Sequence, residues 1–241
     1  MQLRLDKLIS SQGAYSRKEA QFLIKNGSVR VDGVIVRDRG YHIDPEINKV
    51  SVNSVPFEVS KFIYIMLNKP KGVVSATSDK DVKTVVDLVP DVYKKRNLFP
   101  AGRLDITTTG FVLITDDGDF AHKILTPKNH IEKTYEARLA APIDEIQLKT
   151  VAEGIVLGDG TECLPAKLRV LEDTENPLVE IKICEGKYHQ IKRMFAAAGN
   201  GVIELKRTMM GSLKLDNSLK EGECRRITEE ELLQIQLKTA E

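Results

Sequence analysis

The sequence predicts an α+β protein in two parts: a small helix-and-hairpin module, then a larger domain with a mixed, mainly antiparallel sheet. Three observations carry this. Short strand-like runs outnumber helical ones, the turns between them are hairpin-like rather than long crossovers, and a boundary falls near Pro56–Lys61. The expected division is residues 1–59 and 60–241.

The elements follow in order. Leu5, Leu8 and Ile9 have helical spacing, and Gly13-Ala14-Tyr15 breaks the pattern. Ser16-Arg17-Lys18-Glu19 then has the capping-box pattern, in which the serine accepts from a free backbone N–H and the glutamate reaches back to the cap. Ala20, Leu23 and Ile24 continue that helix, and Gly27 stops it. Val29-Arg30-Val31 and Val34-Ile35-Val36 flank Asp32-Gly33, a hairpin signal because both central residues of that turn need positive φ. A module this small has a marginal core, so a partner surface would help it.

Beyond the boundary, Phe62 to Leu67 reads as a strand, Asn68-Lys69-Pro70-Lys71-Gly72 as a basic turn, and Val73-Val74-Ser75 as a further short strand. Val112-Leu113-Ile114, Tyr135 to Leu139, Val179 to Ile183 and Val202 to Leu205 read as strands. Helices are expected at Phe120 to Leu125, Asp144 to Ala152 and His189 to Ala198, with a hairpin turn at Asp159-Gly160. Thr228-Glu229-Glu230-Glu231 repeats the capping-box pattern and opens a last helix.

Composition excludes several classes. The chain has 241 residues, 41% hydrophobic and 29% charged, the profile of an ordinary globular protein. No apolar run approaches the roughly 18 residues a membrane helix needs, and charges interrupt the N-terminal apolar stretch, which is no secretory signal. A cytoplasmic location without membrane contact is the default. Cys163, Cys184 and Cys224 are widely spaced and odd in number, which argues against a disulfide framework or a zinc site. Asp116-Asp117-Gly118-Asp119 lacks the order and distant glutamate of a calcium loop. No phosphate-binding glycine loop is present, so no metal and no nucleotide cofactor is expected. Net charge is only +1, but residues 1–40 carry eight basic side chains against four acidic ones. Arg17 and Lys18 sit in the first turn of a helix, where the macrodipole disfavours cations and a docking phosphate would offset the cost.

Three constellations could carry chemistry. In Gly102-Arg103-Leu104-Asp105, followed by Thr107-Thr108-Thr109-Gly110 and an apolar strand, a carboxylate sits in a loop rich in donors that would keep it ionised. Such a group is a competent nucleophile towards oxocarbenium-like sugar carbon; spacing alone equally allows it to cap a turn. In Glu185-Gly186-Lys187-Tyr188-His189-Gln190-Ile191-Lys192-Arg193, cations, an aromatic and hydrogen-bonding tips share one helical stretch, fit for a phosphate or a paired carboxylate, or simply for water. In Ile131-Glu132-Lys133-Thr134-Tyr135, a tyrosine opening a strand can pack inward or stack on a base.

These residues resemble a known family. RLDKLISSQGAYSRKEAQFLIKNGSVRVDGVIV is similar to the S4 RNA-binding domain. NKPKGVVSAT, FPAGRLDITTTGFVLITDDGDFAHKILTP, KTYEARL and EGKYHQIKRMFAAAGN resemble the catalytic domain of the RsuA-type ribosomal RNA pseudouridine synthases, in the family's order and over nearly the whole chain. The resemblance implies a cofactor-free enzyme that isomerises one uridine of ribosomal RNA to pseudouridine. It implies Asp105 as catalytic aspartate, Tyr135 stacked on the target uracil, and Ile191 packed under the base. It places Lys192 as the basic partner of the aspartate, with Arg193 a competing candidate. Arg103 would contact RNA near the vacated stack. Arg4, Arg17, Lys18, Lys25 and Arg30 in the first module, and Lys69, Lys71, Lys133, His189, Gln190 and Arg193 in the second, are the remaining expected RNA contacts. Phe111 stands where leucine is expected. The run VIELKRTMMGSLKLDNSLKEGECRRIT is closer to the small-subunit (16S) enzyme than to a 23S enzyme. The expected partner is therefore 16S ribosomal RNA, free or in an assembling small subunit, met by a monomer. A non-catalytic S4-type ribosome-binding protein and a glycosidase are the competing classes. The intact GRLD run disfavours the first, and the lack of a second catalytic carboxylate disfavours the other.

Overall fold

The structure is a computed structural model that describes residues 2–45, 47–57 and 59–236. It divides into two compact units. The first comprises Met1–Ile63 with Val89–Leu98, the second Tyr64–Leu88 with Phe99–Glu241.

In the first unit, β1 (Leu3–Arg4) leads into α1 (Leu5–Ser11), and α2 (Arg17–Lys25) follows. Ser16 Oγ accepts from the Glu19 backbone N–H at 3.2 Å while the Glu19 carboxylate accepts from the Ser16 N–H, so the capping box forms. β2 (Val29–Val31) and β3 (Val34–Ile35) make the expected hairpin, with Asp32 at φ 51° and Gly33 at φ 83°. Val36 lies outside that strand. β4 (His42–Ile43) pairs with β1, while β5 (Val50–Val52) and β6 (Val55–Pro56) complete a four-stranded sheet of order β3-β2-β5-β6. Leu5, Leu8, Ile9, Ala20, Ile24 and Val29 form the centre of its core.

The same unit holds a buried aspartate. The Asp6 carboxylate has no exposed side-chain surface and accepts from Arg4 Nε and Nη2, Gln21 Nε2 and the Lys7 backbone N–H at 2.8–3.1 Å, with Arg17 Nε at 3.6 Å. Burial alone would raise its pKa; the hydrogen bonds from Arg4 and Gln21 outweigh it and hold the carboxyl down at about 2.

Residues 89–98 were expected in the larger domain but belong to the first unit. Arg96 binds them there: its Nη1 donates to Gln12 Oε1 at 3.1 Å and to the Ser60 carbonyl at 3.3 Å, and its Nη2 to the Lys61 carbonyl at 2.9 Å. Lys95 pairs with Glu19 at 3.2 Å. Gly13, at φ 90°, lets the segment close in, since a Cβ there would lie 2.7 Å from the Val92 carbonyl oxygen.

The second unit is built on one nine-stranded sheet. In chain order its elements are β7 (Tyr64–Lys69), β8 (Phe99–Ala101), β9 (Thr109–Thr115), α3 (Gly118–Leu125), β10 (Lys133–Leu139), α4 (Glu145–Ala152), β11 (Lys167–Glu172), β12 (Leu178–Ile183), α5 (Gln190–Ala197), β13 (Val202–Met210), β14 (Leu213–Lys214), β15 (Cys224–Arg226) and α6 (Glu229–Gln236). The order is β11-β12-β10-β13-β9-β7-β15, with β14 on β13 and β8 on β9. Among the described residues every ladder between these strands is antiparallel except β9–β13, which meets through Lys206–Thr109 and Arg207–Gly110. Gly110 permits that contact, because a Cβ there would lie 2.2 Å from the Arg207 carbonyl oxygen. One helical layer covers the β7–β9 end, where Met66, Phe111 and Leu113 pack against Ala121, Ile124 and Ile235.

Two local expectations are corrected. Val73-Val74-Ser75 forms no strand; Val74 makes one bridge to Thr84, and Ser75 is used instead to bind the loop before β9. The Val202 strand runs on to Met210, because both its edges find partners. No helix among the described residues is long and apolar enough to cross a membrane.

Candidate active site

Asp105 lies in the loop between β8 and β9, and four backbone fastenings hold that loop. Ser75 Oγ donates to the Leu104 carbonyl and accepts from the Leu104 N–H, both at 3.0 Å. The Thr108 N–H closes a turn on the Asp105 carbonyl at 3.0 Å. The Gly72 N–H donates to the Ile106 carbonyl at 2.9 Å. Beneath them the Lys69 ammonium donates to the carbonyls of Thr108 at 2.8 Å, Pro70 at 3.0 Å and Ile106 at 3.4 Å. Lys69 has no exposed surface; burial pushes its ammonium down to about 8, and the charge of Asp105 pulls the other way. It is the last residue of β7, not part of an exposed basic turn, so the expected RNA contact is replaced by a loop anchor.

The Asp105 side chain itself is loosely held. It is 27% exposed, with Lys192 Nζ at 3.8 Å from Oδ2 and His189 Nε2 at 3.4 Å from Oδ1. Lys192 makes its short hydrogen bond elsewhere, to Thr107 Oγ1 at 2.7 Å. Arg193, the competing partner, is taken by Asp159 at 2.6 Å, which helps hold that carboxyl at about 2. The geometry therefore puts Lys192, not Arg193, beside the aspartate.

A pocket of about 70 Å³ opens beside the carboxylate, lined by Arg103, Leu104, Thr108, Tyr135, Ile183 and Ile191 among others. Tyr135 faces it because alternation along β10 turns Lys133, Tyr135 and Ala137 to one side of the sheet, where Tyr135 and Ile191 of α5 line the pocket together. Its hydroxyl lies 3.5 Å from Arg207 Nη1, on β13. Arg207 was not anticipated: it is buried, donates to the Phe111 carbonyl at 2.7 Å, and braces Tyr135 from behind. A charged residue in VIELKRTMM reads as surface, so only the register with Tyr135 identifies it. Thr108 lines the pocket, and its Oγ1 is buried without a hydrogen-bond partner.

The turn into α5 supplies the other wall. Glu185 Oε1 accepts from Gln190 Nε2 at 2.7 Å and from the Leu164 N–H at 2.9 Å, and Gln190 Oε1 accepts from the Lys187 N–H at 3.0 Å. Gln190 is thus buried in a lock, with its amide engaged within the chain, on the pocket wall. Lys133 is buried too, its ammonium pushed down to about 8 by burial and then by Arg207, so it also leaves the expected RNA surface. Lys71 is exposed and paired with Glu204 at 3.1 Å, and Arg103 is exposed at the pocket. In the first unit Arg4 and Arg17 are engaged by Asp6, Arg30 donates to the Gly33 carbonyl, and Lys18 and Lys25 are exposed. A wider concavity of about 510 Å³ on the other face of the sheet is lined by Lys167, Arg169, Glu180, Lys182, Met209 and Lys214, and its carboxylate, Glu180, is paired with Arg169 at 3.4 Å.

Comparison with known proteins accords with this geometry. Residues 63–197 match the RNA pseudouridylate synthase family and residues 3–46 the S4 domain. The uncharacterized RNA pseudouridine synthase YtzG of Bacillus subtilis is 44% identical over 231 residues, covering 95% of this chain and 97% of that one. Ribosomal small subunit pseudouridine synthase A of Escherichia coli strain K12 is 42% identical over 235 residues, covering 97% and 100%. A crystal structure of a pseudouridylate synthase superposes with a TM-score of 0.66 at 41% identity, covering 97% of this chain and 99% of that one. Fold, loop and relatives agree: this chain belongs to the RNA pseudouridylate synthase family, in its RsuA-type branch with an N-terminal S4 domain.

Proposed function

We propose that the protein converts one uridine of 16S ribosomal RNA to pseudouridine in the cytoplasm, with Asp105 as nucleophile and without a cofactor. The observation that carries this reading is the under-coordinated Asp105 carboxylate at a small pocket, flanked by Lys192 and His189 and facing Tyr135. The 16S target is supported by relatives from Haemophilus influenzae and Escherichia coli that bear the small-subunit name.

The target base leaves its stack at a cost of a few kcal/mol and enters the pocket. Tyr135 stacks on it, Ile191 and Ile183 pack its other side, and Arg103 takes up the vacated space in the RNA. Asp105 attacks C1′ as the N1–C1′ bond breaks, with the Lys192 ammonium 3.8 Å from its carboxylate. The freed uracil rotates within the walls, C5 attacks C1′ and displaces the Asp105 carboxylate, the C5 hydrogen leaves as a proton, and N1 gains one. Nothing is added or lost overall. Exclusion of water by the filled pocket keeps the detached base from escaping.

Pseudouridine mapping of both large ribosomal RNAs from cells lacking the protein tests the function. Loss of one 16S site is the expected result; loss of a 23S site moves the target, and no loss removes the activity. Deuterium at C2′ of the target uridine tests the chemical role, since a primary isotope effect would make Asp105 a base that removes a sugar proton.

A further inference from the structure

Beside the pocket stands a pair of rings that the reaction above does not use. Tyr188 is 75% exposed, an unusual cost for an aromatic ring. It is not loose: its ring stacks on His189 with centroids 3.9 Å apart and planes 16° from parallel. His189 in turn lines the catalytic pocket and lies 3.4 Å from Asp105. A column therefore runs from the carboxylate through the imidazole to the outward face of a tyrosine ring.

The backbone is strained to make that column. His189 sits at φ 49°, ψ 32°, a left-handed conformation that costs a non-glycine residue stability. It does not cap α5 with its side chain, so the strain does not serve the helix. Three bonds enforce it: the Glu185–Gln190 lock, the Lys187 N–H on Gln190, and Arg193 Nη1 donating to the Tyr188 carbonyl at 3.3 Å. Arg103 is exposed at the same pocket and Lys192 stands beside Asp105, while Lys187 and Arg193 are paired with Glu185 at 2.9 Å and Asp159 at 2.6 Å.

We propose that the outer face of Tyr188 is a stacking platform for an unpaired nucleobase neighbouring the target uridine in the RNA. This rests on the function proposed above. A flipped base leaves its neighbours without a stacking partner, and a rigid, solvent-facing ring at the pocket mouth replaces it with little loss of entropy. The exposed Arg103 at the pocket meets a phosphate beside that base. A protein partner fits less well, because the platform is one ring wide.

The test uses full-length protein and ribosomal RNA extracted from cells lacking it, with pseudouridine formation as the readout. Tyr188→Ala should raise the RNA concentration for half-saturation about tenfold, with a smaller effect on turnover at saturation, while the thermal midpoint stays that of the wild type. Tyr188→Phe should remain within about twofold of wild type, and Tyr188→Leu should behave as Ala. Wild-type half-saturation in Tyr188→Ala overturns the platform, as does a Phe variant as weak as Ala, which would assign the hydroxyl rather than the ring. Wild-type protein that converts no uridine in this RNA overturns the function and the platform together, so the two failures are told apart.

Discussion

Two aspartates divide the molecule's chemistry between them. Asp6, in the first unit, is sealed from solvent and its oxygens accept four short hydrogen bonds. Asp105, in the second, is partly exposed, and its two charged neighbours stand off at 3.4 and 3.8 Å. The first has its lone pairs filled and is pinned by Arg4; the second has lone pairs to give. Residue type is the same and nearby positive charge is similar, so coordination is what separates the structural carboxylate from the one proposed to react.

The comparison can be broken most sharply by making both acids amides. Asp105→Asn should lower pseudouridine formation by at least about 10⁴-fold, with RNA affinity and thermal midpoint little changed. The readout is tritium released from C5-labelled uridine, and measurable turnover would remove the nucleophile assignment. Asp6→Asn should do the converse: the first unit loses about 2–3 kcal/mol, read by denaturant unfolding, while product formation at saturating RNA persists.

An intermediate effect is expected at Lys69. Lys69→Met removes the cation that binds three loop carbonyls, and single-turnover rate should fall at least about tenfold because the carboxylate loses its fixed position. In the first unit, Arg17→Ala with Lys18→Ala should weaken RNA binding and reduce its logarithmic salt slope by about 1.4–1.8 if both meet phosphate; an unchanged slope removes that role.

The smallest effects are in pH. Asp6 is held at about 2 against an ordinary 3.8, so its stabilisation is full above pH 4 and disappears as pH falls through 2. Lys69 is held at about 8 against 10.5, so its charged form costs stability below pH 8 and that cost fades as pH rises to 10.5. Wild-type protein should therefore gain thermal midpoint relative to Lys69→Met between pH 8 and 10, and lose it relative to Asp6→Asn between pH 4 and 2.

Much of this was legible in the sequence where one local rule decides. The Ser16–Glu19 box and the Asp32-Gly33 turn form as read, because capping and positive φ are settled within four residues. The GRLD run points to Asp105 only through the family resemblance, since its spacing alone equally allows a turn cap. What escaped reading depends on burial. Lys69, Lys133 and Arg207 carry polar heads that a sequence places in water, yet each is enclosed by a strand or loop far along the chain, while Gln190 is buried by a lock with Glu185 and Lys187 in its own turn. The parallel β9–β13 contact that encloses Arg207 joins residues nearly a hundred positions apart, and only Gly110 hints at it. Residues 89–98 have no periodicity to announce where they pack.

That last segment changes how the protein can be taken apart. A protease cutting once near Ile63 would not free an N-terminal fragment, since Arg96 and Lys95 still grip it from a different stretch of chain. The nicked halves should co-elute under native conditions and separate only in denaturant. Conversely, a truncation that discards residues 1–59 strands an orphan tongue that has lost the Gln12 and Glu19 partners of Arg96 and Lys95, and any transplant of the RNA-binding module must carry a second, non-contiguous piece with it.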